Sequence, residues 1–264
     1  MKSIVTAFLV VFIFFAFDSK AVTDPLRILS PNEPPVSYVN SQGKSDGYLV
    51  DITQAIQAEL ADMATISFVP EARALNLLEK KPNILFIGLS KTKFRTDKYH
   101  WPAKVSVKNW QVFTHNQPTL TIDSTDELKA LRTLGVVRGD VREEWLINRN
   151  FTNLYSVTNP LQSIRLLIKG RVSAIAYDQQ GVRYLCQEYA LECSLLNTVY
   201  TLSSSDVYLI MSKMTDDETV TLWREAYENL LARGVIENIA KKWQKKLHQQ
   251  YGILSSVQDG ILVF

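Results

Sequence analysis

The sequence is poor in the residues that most often build catalytic and metal centres. Its 264 residues include three histidines, His100, His115 and His248, and two cysteines, Cys186 and Cys193. The histidines lie far apart, and the cysteine spacing does not fit the usual ligand spacing of a zinc site. The sequence also contains no G-x-S-x-G motif and no phosphate-binding loop. These absences predict no resident metal or cofactor and argue against an enzyme.

The chain also lacks an excess of one charge. Its 29 basic and 27 acidic residues leave a formal net charge of +2. Nucleic-acid binding requires a clustered basic surface, so this balance argues against a nucleic-acid partner. The densest basic stretch, residues 241–246, lies near the end of a predicted helix, where cations suit the helix dipole. We interpret it as a solvated face.

Only one long apolar run occurs, at residues 4–17. A basic Lys2 precedes the run, and Ser19-Lys20-Ala21 follows it closely. The run is shorter than the about 20 residues that a membrane-spanning helix needs. This pattern predicts a signal peptide over residues 1–21, cleaved after Ala21, and a periplasmic protein. An uncleaved tethering helix is the open alternative.

Cysteine usage bears on the compartment as well. An even number of cysteines in an exported chain favours a structural disulfide between Cys186 and Cys193, because the periplasm is oxidising. Two free thiols or half of a metal site are the open alternatives. A disulfide would have a structural role and no part in catalysis.

Short apolar strands alternate with amphipathic helices along most of the chain. Such alternation predicts α/β architecture with mainly parallel sheets and helices on both faces. Residues 251–264 receive no assignment. The predicted strands are 26–29, 65–69, 84–89, 134–137, 154–157, 174–177 and 207–211. The predicted helices are 46–59, 71–81, a short helix capped at 124–126, 140–148, 160–170, 179–189 and 216–248, the last interrupted at Gly234.

The elements form two sets, which predicts two lobes joined by two hinge strands. Residues 22–111 and 205–264 would form the first lobe, and residues 112–204 the second. Ligands of open α/β sheets bind beyond the carboxyl ends of the strands. Polar residues follow several predicted strands at this edge, at 30–33, 90–95, 138–140 and 178.

Four stretches together resemble a known family. They are LRILSPNEPPVSYVNSQGKSDGYLVDITQAI, NILFIGLSKTKFR, KGRVSAIAYD and LLARGVIENIAKKW. In this order they resemble the family 3 extracellular solute-binding proteins, the periplasmic amino-acid receptors of ABC importers. The resemblance implies a two-lobed, type II periplasmic-binding-protein-like fold that closes on a small amino-acid-like ligand. It also implies a monomer without cofactor that delivers its ligand to an inner-membrane ABC permease.

The resemblance implies ligand contacts in the first lobe. Arg95 matches the arginine that forks onto the ligand's carboxylate, as a planar guanidinium can. Ser90 matches a residue that contacts the carboxylate and amine, and Gly88 one whose carbonyl accepts from the amine. Thr92 fits this group loosely. The alternatives are a surface ion pair between Arg95 and Asp97, and turn roles for Ser90 and Thr92.

The second lobe supplies the remaining implied contacts. Asp178 matches the carboxylate that binds the ligand's ammonium, and its alternative role is the N-cap of the following helix. Asp140 and Val141 match a threonine pair whose amides contact the carboxylate. Asp140 departs from the pattern, since as an N-cap it would occupy those amides itself. Arg138 and Arg142 flank it, and either could bind a second anionic group or neutralise Asp140.

A further departure concerns Glu33, which stands where such receptors commonly stack an aromatic ring on the ligand. Tyr38 or Trp101 could supply that ring instead. Acidic groups in the cleft suit a cationic or polar amino-acid-like ligand. Two other functions are open: a periplasmic enzyme resembling cyclohexadienyl dehydratase, with an acidic cleft residue as general acid, and a ligand-sensing module for a separate signalling partner.

Overall fold

The computed structural model describes residues 25–264, so the predicted signal peptide lies outside the described residues. Within this part of the chain no helix is long and apolar enough to cross a membrane. The elements in chain order are β1 (Arg27–Ser30), β2 (Tyr38–Val39), β3 (Ser45–Asp46), α1 (Tyr48–Leu60), β4 (Ile66–Phe68), α2 (Glu71–Lys80), β5 (Ile84–Ser90), β6 (Tyr99–His115), α3 (Thr125–Ala130), β7 (Leu134–Val137), α4 (Val141–Ile147), β8 (Leu154–Val157), α5 (Pro160–Ile168), β9 (Ala174–Tyr177), α6 (Gln179–Glu188), β10 (Leu196–Ser212), α7 (Asp217–Ala232), α8 (Val235–Tyr251), β11 (Ser256–Gln258) and β12 (Ile261–Val263).

The main sheet combines two parallel sets of strands. Its order is β4-β1-β5-β10-β6-β9-β7-β8. In the first lobe β1 pairs in parallel with β4 and β5, and in the second lobe β7 pairs in parallel with β8 and β9. Strands β10 and β6 join the two sets by antiparallel pairing. The predicted α/β fold with two lobes and two connecting strands is therefore confirmed.

The connecting strands are longer than the sequence analysis predicted. β6 and β10 each contain 17 residues, and they pair from Leu196↔His115 to Ser212↔Tyr99. Only 207–211 was predicted as a strand, because charged residues and register shifts interrupt the alternation elsewhere. The predicted lobe boundaries, at 111/112 and 204/205, fall inside these strands and stay predictions.

Helix α1 shows why the first lobe folds around the early strands. Leu49, Ile52 and Ile56 recur at helical spacing and are at most 1% exposed. Burying each such side chain stabilises the fold by about 1.5–3 kcal/mol. They pack in one core cluster with Ile28 of β1 and Leu85 of β5. This packing fixes where the carboxyl ends of β1 and β5 lie.

The unassigned C-terminal residues form a β-hairpin that completes the sheet. β11 pairs with β12, and β12 pairs in parallel with β6 through Leu262↔Ser106. The hydroxyl of Tyr48 donates to the carbonyl of Val105 at 2.9 Å and accepts from the amide of Leu262 at 3.1 Å. The chain terminus is thereby tied to α1 and to a connecting strand.

The second lobe contains a disulfide. Cys186 in α6 is bonded to Cys193 in the segment that leads to β10. No free cysteine remains among the described residues. Cys186 and Cys193 are therefore neither free thiols nor ligands of a metal site.

Candidate functional site

Arg95 lies in the turn after β5, at the boundary between the lobes. Its amide donates to the carbonyl of Thr92 at 3.0 Å, and its own carbonyl accepts from the amide of Lys98 at 3.1 Å. The guanidinium Nε and Nη2 each lie 2.6 Å from Oε2 of Glu144 in α4. Nη1 lies 3.6 Å from Oε1 of Glu71 and has no hydrogen-bond partner. Arg95 is 4% exposed and Glu144 30%, so only the arginine end of this ion pair between the lobes is removed from water.

Arg142 fills the inner part of the cleft. Its Nε and Nη2 donate to Oδ2 of Asp140 at 2.9 and 2.7 Å, and its Nη1 donates to Oδ2 of Asp178 at 2.8 Å. Nη2 also lies 3.7 Å from Oε1 of Glu33. The guanidinium carbon is 4.4 Å from the ring centre of Tyr177. Three carboxylates and one aromatic face thus enclose a side chain that is 5% exposed.

Asp140 and Asp178 each have two roles. Oδ1 of Asp140 accepts from the amides of Arg142 and Glu143 at 2.8 and 3.2 Å, which caps α4. Oδ1 of Asp178 accepts from the amide of Gly181 at 2.7 Å, which caps α6. In both residues the other carboxylate oxygen binds Arg142. The two amides that Asp140 caps, just after the buried Val141, therefore already have an acceptor within the chain.

Glu33 is held by cations, and the nearby rings have other neighbours. Lys108 of β6 is 4% exposed and places its Nζ 2.9 Å from Oε2 of Glu33. The hydroxyl of Tyr38 donates to Asp46 at 3.2 Å. Trp101 meets the rings of Tyr99 and Tyr208 edge-on. Tyr38 also packs against the ring of Tyr184 and lines a cavity with Asn32 and Pro34, the chain neighbours of Glu33, whereas the ring contacts of Trp101 are with β6 and β10.

The predicted first-lobe residues lie at the end of β5. Gly88 has φ +86° where the pairing of β5 with β10 shifts register. A Cβ there would lie 2.8 Å from Cδ1 of Leu49, the end of a side chain that can shift, so the positive φ at the bulge is what favours glycine. Ser90 is 6% exposed. Thr92 in the following turn has a buried hydroxyl without a hydrogen-bond partner.

Arg95 and its partners alter the acidity of a neighbouring carboxyl. The pKa of Glu71 is raised to about 7, chiefly by burial; Arg95 opposes the rise, the charges of Asp140 and Glu33 add to it, and Arg142 opposes it more weakly. The side chain of Glu71 is 22% exposed. Around neutral pH this group is therefore close to half-protonated.

The inner cluster keeps its cation charged. Burial lowers the pKa of Arg142, but Asp140, Asp178 and Glu33 raise it more, so it lies above the ordinary value. Burial and then Asp178 raise the pKa of the Tyr177 hydroxyl. That hydroxyl is buried without a hydrogen-bond partner. Neither group is suited to proton transfer at neutral pH.

A cavity of about 470 Å³ opens between the lobes beside Arg95. Its walls include Phe94, Arg95 and Lys98 from the first lobe and Glu144 and Ile147 from the second. A larger cavity, of about 500 Å³, lies beside the Cys186–Cys193 disulfide. Among residues 25–264 no group of three or more acidic, histidine or cysteine side chains could hold a metal ion.

The structure brings together more residues than the sequence analysis selected. Arg95, Asp178, Asp140 and Glu33 lie in one charged region, as the predicted sheet edge requires. Their partners Glu144, Lys108 and Glu71 were missed, and Arg142 was noted only as a flanking residue. Acidic residues in the first turn of α4 were visible in the sequence, but their partners across the cleft had no local signal.

Residues 26–246 match the sequence model of the bacterial extracellular solute-binding proteins, family 3. The chain belongs to this family. A family 3 solute-binding protein is a periplasmic or secreted protein, which agrees with the predicted export.

Solved structures share the architecture of this family 3 protein. A histidine kinase sensor domain with similarity to periplasmic binding proteins is 18% identical, with a TM-score of 0.75 over 83% of this chain and 95% of that one. The arginine-, lysine-, histidine-binding protein of Geobacillus stearothermophilus is 18% identical, with a TM-score of 0.71 over 85% and 98%. The L-cysteine solute receptor of Neisseria gonorrhoeae is 16% identical, with a TM-score of 0.71 over 84% and 91%. At this identity the likeness shows the fold and leaves the ligand of this chain open.

Proposed function

We propose that this family 3 protein is a periplasmic receptor that captures a small amino-acid-like solute between its lobes and delivers it to an ABC-type importer. The observation that carries the proposal is the placement of Arg95. Its guanidinium is buried at the interlobe cavity, and Nη1 has no hydrogen-bond partner. A guanidinium grips a carboxylate through two parallel hydrogen bonds. Arg95 is accordingly the group that holds the carboxylate of the solute.

Binding is an exchange of carboxylates in this proposal. Glu144 now accepts from Arg95, and the solute's carboxylate takes its place. The cavity of about 470 Å³ lies within the usual range of roughly 300–1,000 Å³ for ligand sites. Ser90 and Gly88, at the end of β5, assist Arg95. Because the cavity walls come from both lobes, the solute couples binding to lobe closure.

The second lobe recognises the solute's cationic group in this proposal. Asp178 is the ammonium partner, with Glu33 and Asp140 beside it. Val141, at the N-terminus of α4, and Thr92, in the turn after β5, do not line the cavity beside Arg95, and we propose that they contact the solute once it is bound. The cluster has more carboxylates than cations, which favours a solute that carries positive charge as well as a carboxylate.

The test is a thermal-shift screen of the exported chain against amino acids, opines, polyamines and small peptides, followed by calorimetry. A bound solute raises the melting temperature because it binds only the folded state. Arg95→Lys keeps the charge beside Glu144 but loses the fork, so we expect roughly tenfold or greater loss of affinity. Arg171→Lys, at an exposed arginine of the second lobe, is the matched control. Wild-type affinity in Arg95→Lys would show that the carboxylate assignment is wrong.

A second candidate function is ligand sensing for a separate signalling protein. It is favoured by the similarity to a histidine kinase sensor domain, with a TM-score of 0.75. Uptake of the labelled solute by cells with and without the protein separates the two functions. Loss of uptake supports the importer, whereas normal uptake with a lost transcriptional response supports the sensor.

Export is proposed to occur by signal-peptide cleavage after Ala21, giving a mature chain that begins at Val22. Mass spectrometry of the periplasmic fraction tests this start directly. A retained N-terminal segment in the membrane fraction supports the tethering alternative instead. The mature protein is proposed to be a monomer, which sedimentation of the same fraction measures.

A further inference from the structure

The guanidinium of Arg142 is bonded as a bound ligand would be. Every one of its nitrogens donates to a carboxylate, with distances of 2.7–2.9 Å to Asp140 and Asp178. Its carbon stacks 4.4 Å from the centre of the Tyr177 ring. These contacts come from three places: α4 itself, the junction of β9 with α6, and Glu33 of the first lobe. These residues therefore form a binding site for a planar cation, and the side chain of Arg142 occupies it.

We propose that Arg142 is a tethered occupant of a guanidinium site, and that a cationic solute must displace it to reach Asp178. The inference deepens the proposed function, on which its physiological meaning rests. The site selects guanidinium over ammonium, because only a planar cation can both stack on Tyr177 and fork onto two carboxylates.

Charge balance explains why the site needs a cation. Asp140, Asp178 and Glu33 are together faced by Arg142 and Lys108. Removing Arg142 would leave three formal negative charges against one positive charge in a region almost closed to water. Unpaired buried charges are strongly unfavourable. An emptied site is therefore expected to take up a free cation of the same shape.

Occupancy by Arg142 also sets the affinity for the solute. The side chain links the second lobe to Glu33 of the first, so it holds the lobes together without a ligand. A solute binds only those molecules in which Arg142 has left the site. Its apparent affinity is therefore the intrinsic affinity multiplied by the fraction of molecules in that state. Arg142 is in this sense a specificity-determining residue, since it penalises solutes whose cationic group cannot outcompete it.

The decisive experiment is chemical rescue of Arg142→Ala with propylguanidinium, an analogue that is one methylene longer than the deleted part of the side chain. We expect millimolar propylguanidinium to raise the melting temperature of Arg142→Ala by several degrees and to bind it in calorimetry. Wild type and Arg171→Ala, the exposed-arginine control, should show no such shift. Sodium chloride at equal ionic strength and propylammonium are the control solutes, and propylammonium should bind at least tenfold more weakly.

Defined outcomes overturn the proposal. The proposal is wrong if propylguanidinium neither binds folded Arg142→Ala nor raises its melting temperature. It is also wrong if propylammonium binds equally well, or if the melting temperature of wild type rises as much as that of the variant. Arg142→Gln provides a longer neutral side chain in case the alanine variant does not fold. Should both variants be unfolded, refolding in propylguanidinium supports the site, and failure to refold in its presence contradicts it.

The rescue is independent of the natural solute. Rescue can succeed even if no amino acid binds the wild-type protein. That result would support the guanidinium site and contradict the receptor function. Conversely, a solute that depends on Arg95 can be found while rescue fails, which overturns the tethered occupant alone. When both succeed, Arg142→Ala should bind a guanidinium-bearing solute at least tenfold more tightly than wild type.

Discussion

At the scale of single residues, Glu71 occupies a position where its negative charge is unfavourable. It begins α2 and lies 3.6 Å from Arg95, yet burial and the nearby Asp140 and Glu33 outweigh that attraction and raise its pKa to about 7. Arg95 therefore faces one partner, Glu144, that accepts two short hydrogen bonds and a second whose charge depends on pH. The electrostatics of the cleft should change near neutrality.

The substitution Glu71→Gln tests this effect. Since the folded pKa lies above the ordinary value of 4.5, the protonated carboxyl stabilises the fold below about pH 4.5, and this stability is lost as pH rises through 7. At pH 8 we expect Glu71→Gln to exceed wild type by about 3 kcal/mol in the free energy of unfolding, and at pH 4.5 to match it closely. Urea unfolding at both pH values measures the difference. Glu228→Gln, on the exposed face of α7, should show no such difference, and an equal offset of Glu71→Gln at both pH values contradicts the prediction.

Single residues also show which parts of the site the sequence could predict. Asp140 and Asp178 stand directly before helices and cap them, because capping depends on neighbours two or three positions away. Arg95 was selected through a family motif. Its partner Glu144 lies 49 positions further along the chain, so the pairing depends on how the lobes meet. No local pattern contains that information.

At the scale of elements, the C-terminal hairpin was missed although its turn was visible. Asp259 and Gly260 both have positive φ, 49° and 78°, as a two-residue hairpin turn requires. The Asp-Gly dipeptide could therefore have predicted β11 and β12. The flanking strands have three residues each, too few for their alternation to be recognised. The helices and the parallel strands of the two lobes were predicted more fully, because their apolar pattern extends over more residues.

Leu262→Ala tests whether the hairpin is an integral part of the fold. Leu262 is fully buried in β12, and deleting a buried leucine side chain usually costs about 2–5 kcal/mol. We expect a loss of about 3 kcal/mol in the free energy of unfolding, measured in urea. Leu254→Ala, at a position 72% exposed in the same segment, should stay within about 0.5 kcal/mol of wild type. Equal effects of the two substitutions would show that the hairpin is peripheral.

The disulfide constrains a second element, the connection from α6 to β10. Its cysteines are seven positions apart, and closing so short a loop stabilises the fold by about 2 kcal/mol in the chain-entropy description. The double variant Cys186→Ser with Cys193→Ser should lose about this amount in urea unfolding. Wild type in reducing agent should behave like the variant, and the variant itself should be insensitive to it. A reductant effect on the double variant would point to a different cause.

At the scale of the whole molecule, charged side chains connect lobes that share one sheet. Arg95 reaches Glu144, and Glu33 reaches Arg142, while β6 and β10 provide the continuous backbone between the lobes. Alternation of strands and helices predicted both lobes, because periodic apolar faces mark the elements of each, although one core cluster joins α1 and α8 of the first lobe to α5 and α6 of the second. It could not predict how the lobes meet, which depends on charged pairs and apolar packing between the lobes and on strands whose pattern is irregular.

Glu144→Gln tests whether those pairs hold the lobes closed. The amide keeps the size of the side chain but removes the charge that Arg95 now binds, and a hydrogen bond to a charged group contributes about 1.5–3 kcal/mol. Because Glu144 is 30% exposed, we expect about 1 kcal/mol, which shifts the open-to-closed ratio roughly fivefold. Small-angle scattering of the ligand-free protein should then show a larger radius of gyration. Glu228→Gln, on the exposed face of α7, should scatter as wild type does. If Glu144→Gln also scatters as wild type does, the pair of Arg95 with Glu144 does not hold the lobes closed, and the contacts of Arg142 and the apolar packing between the lobes remain to do so.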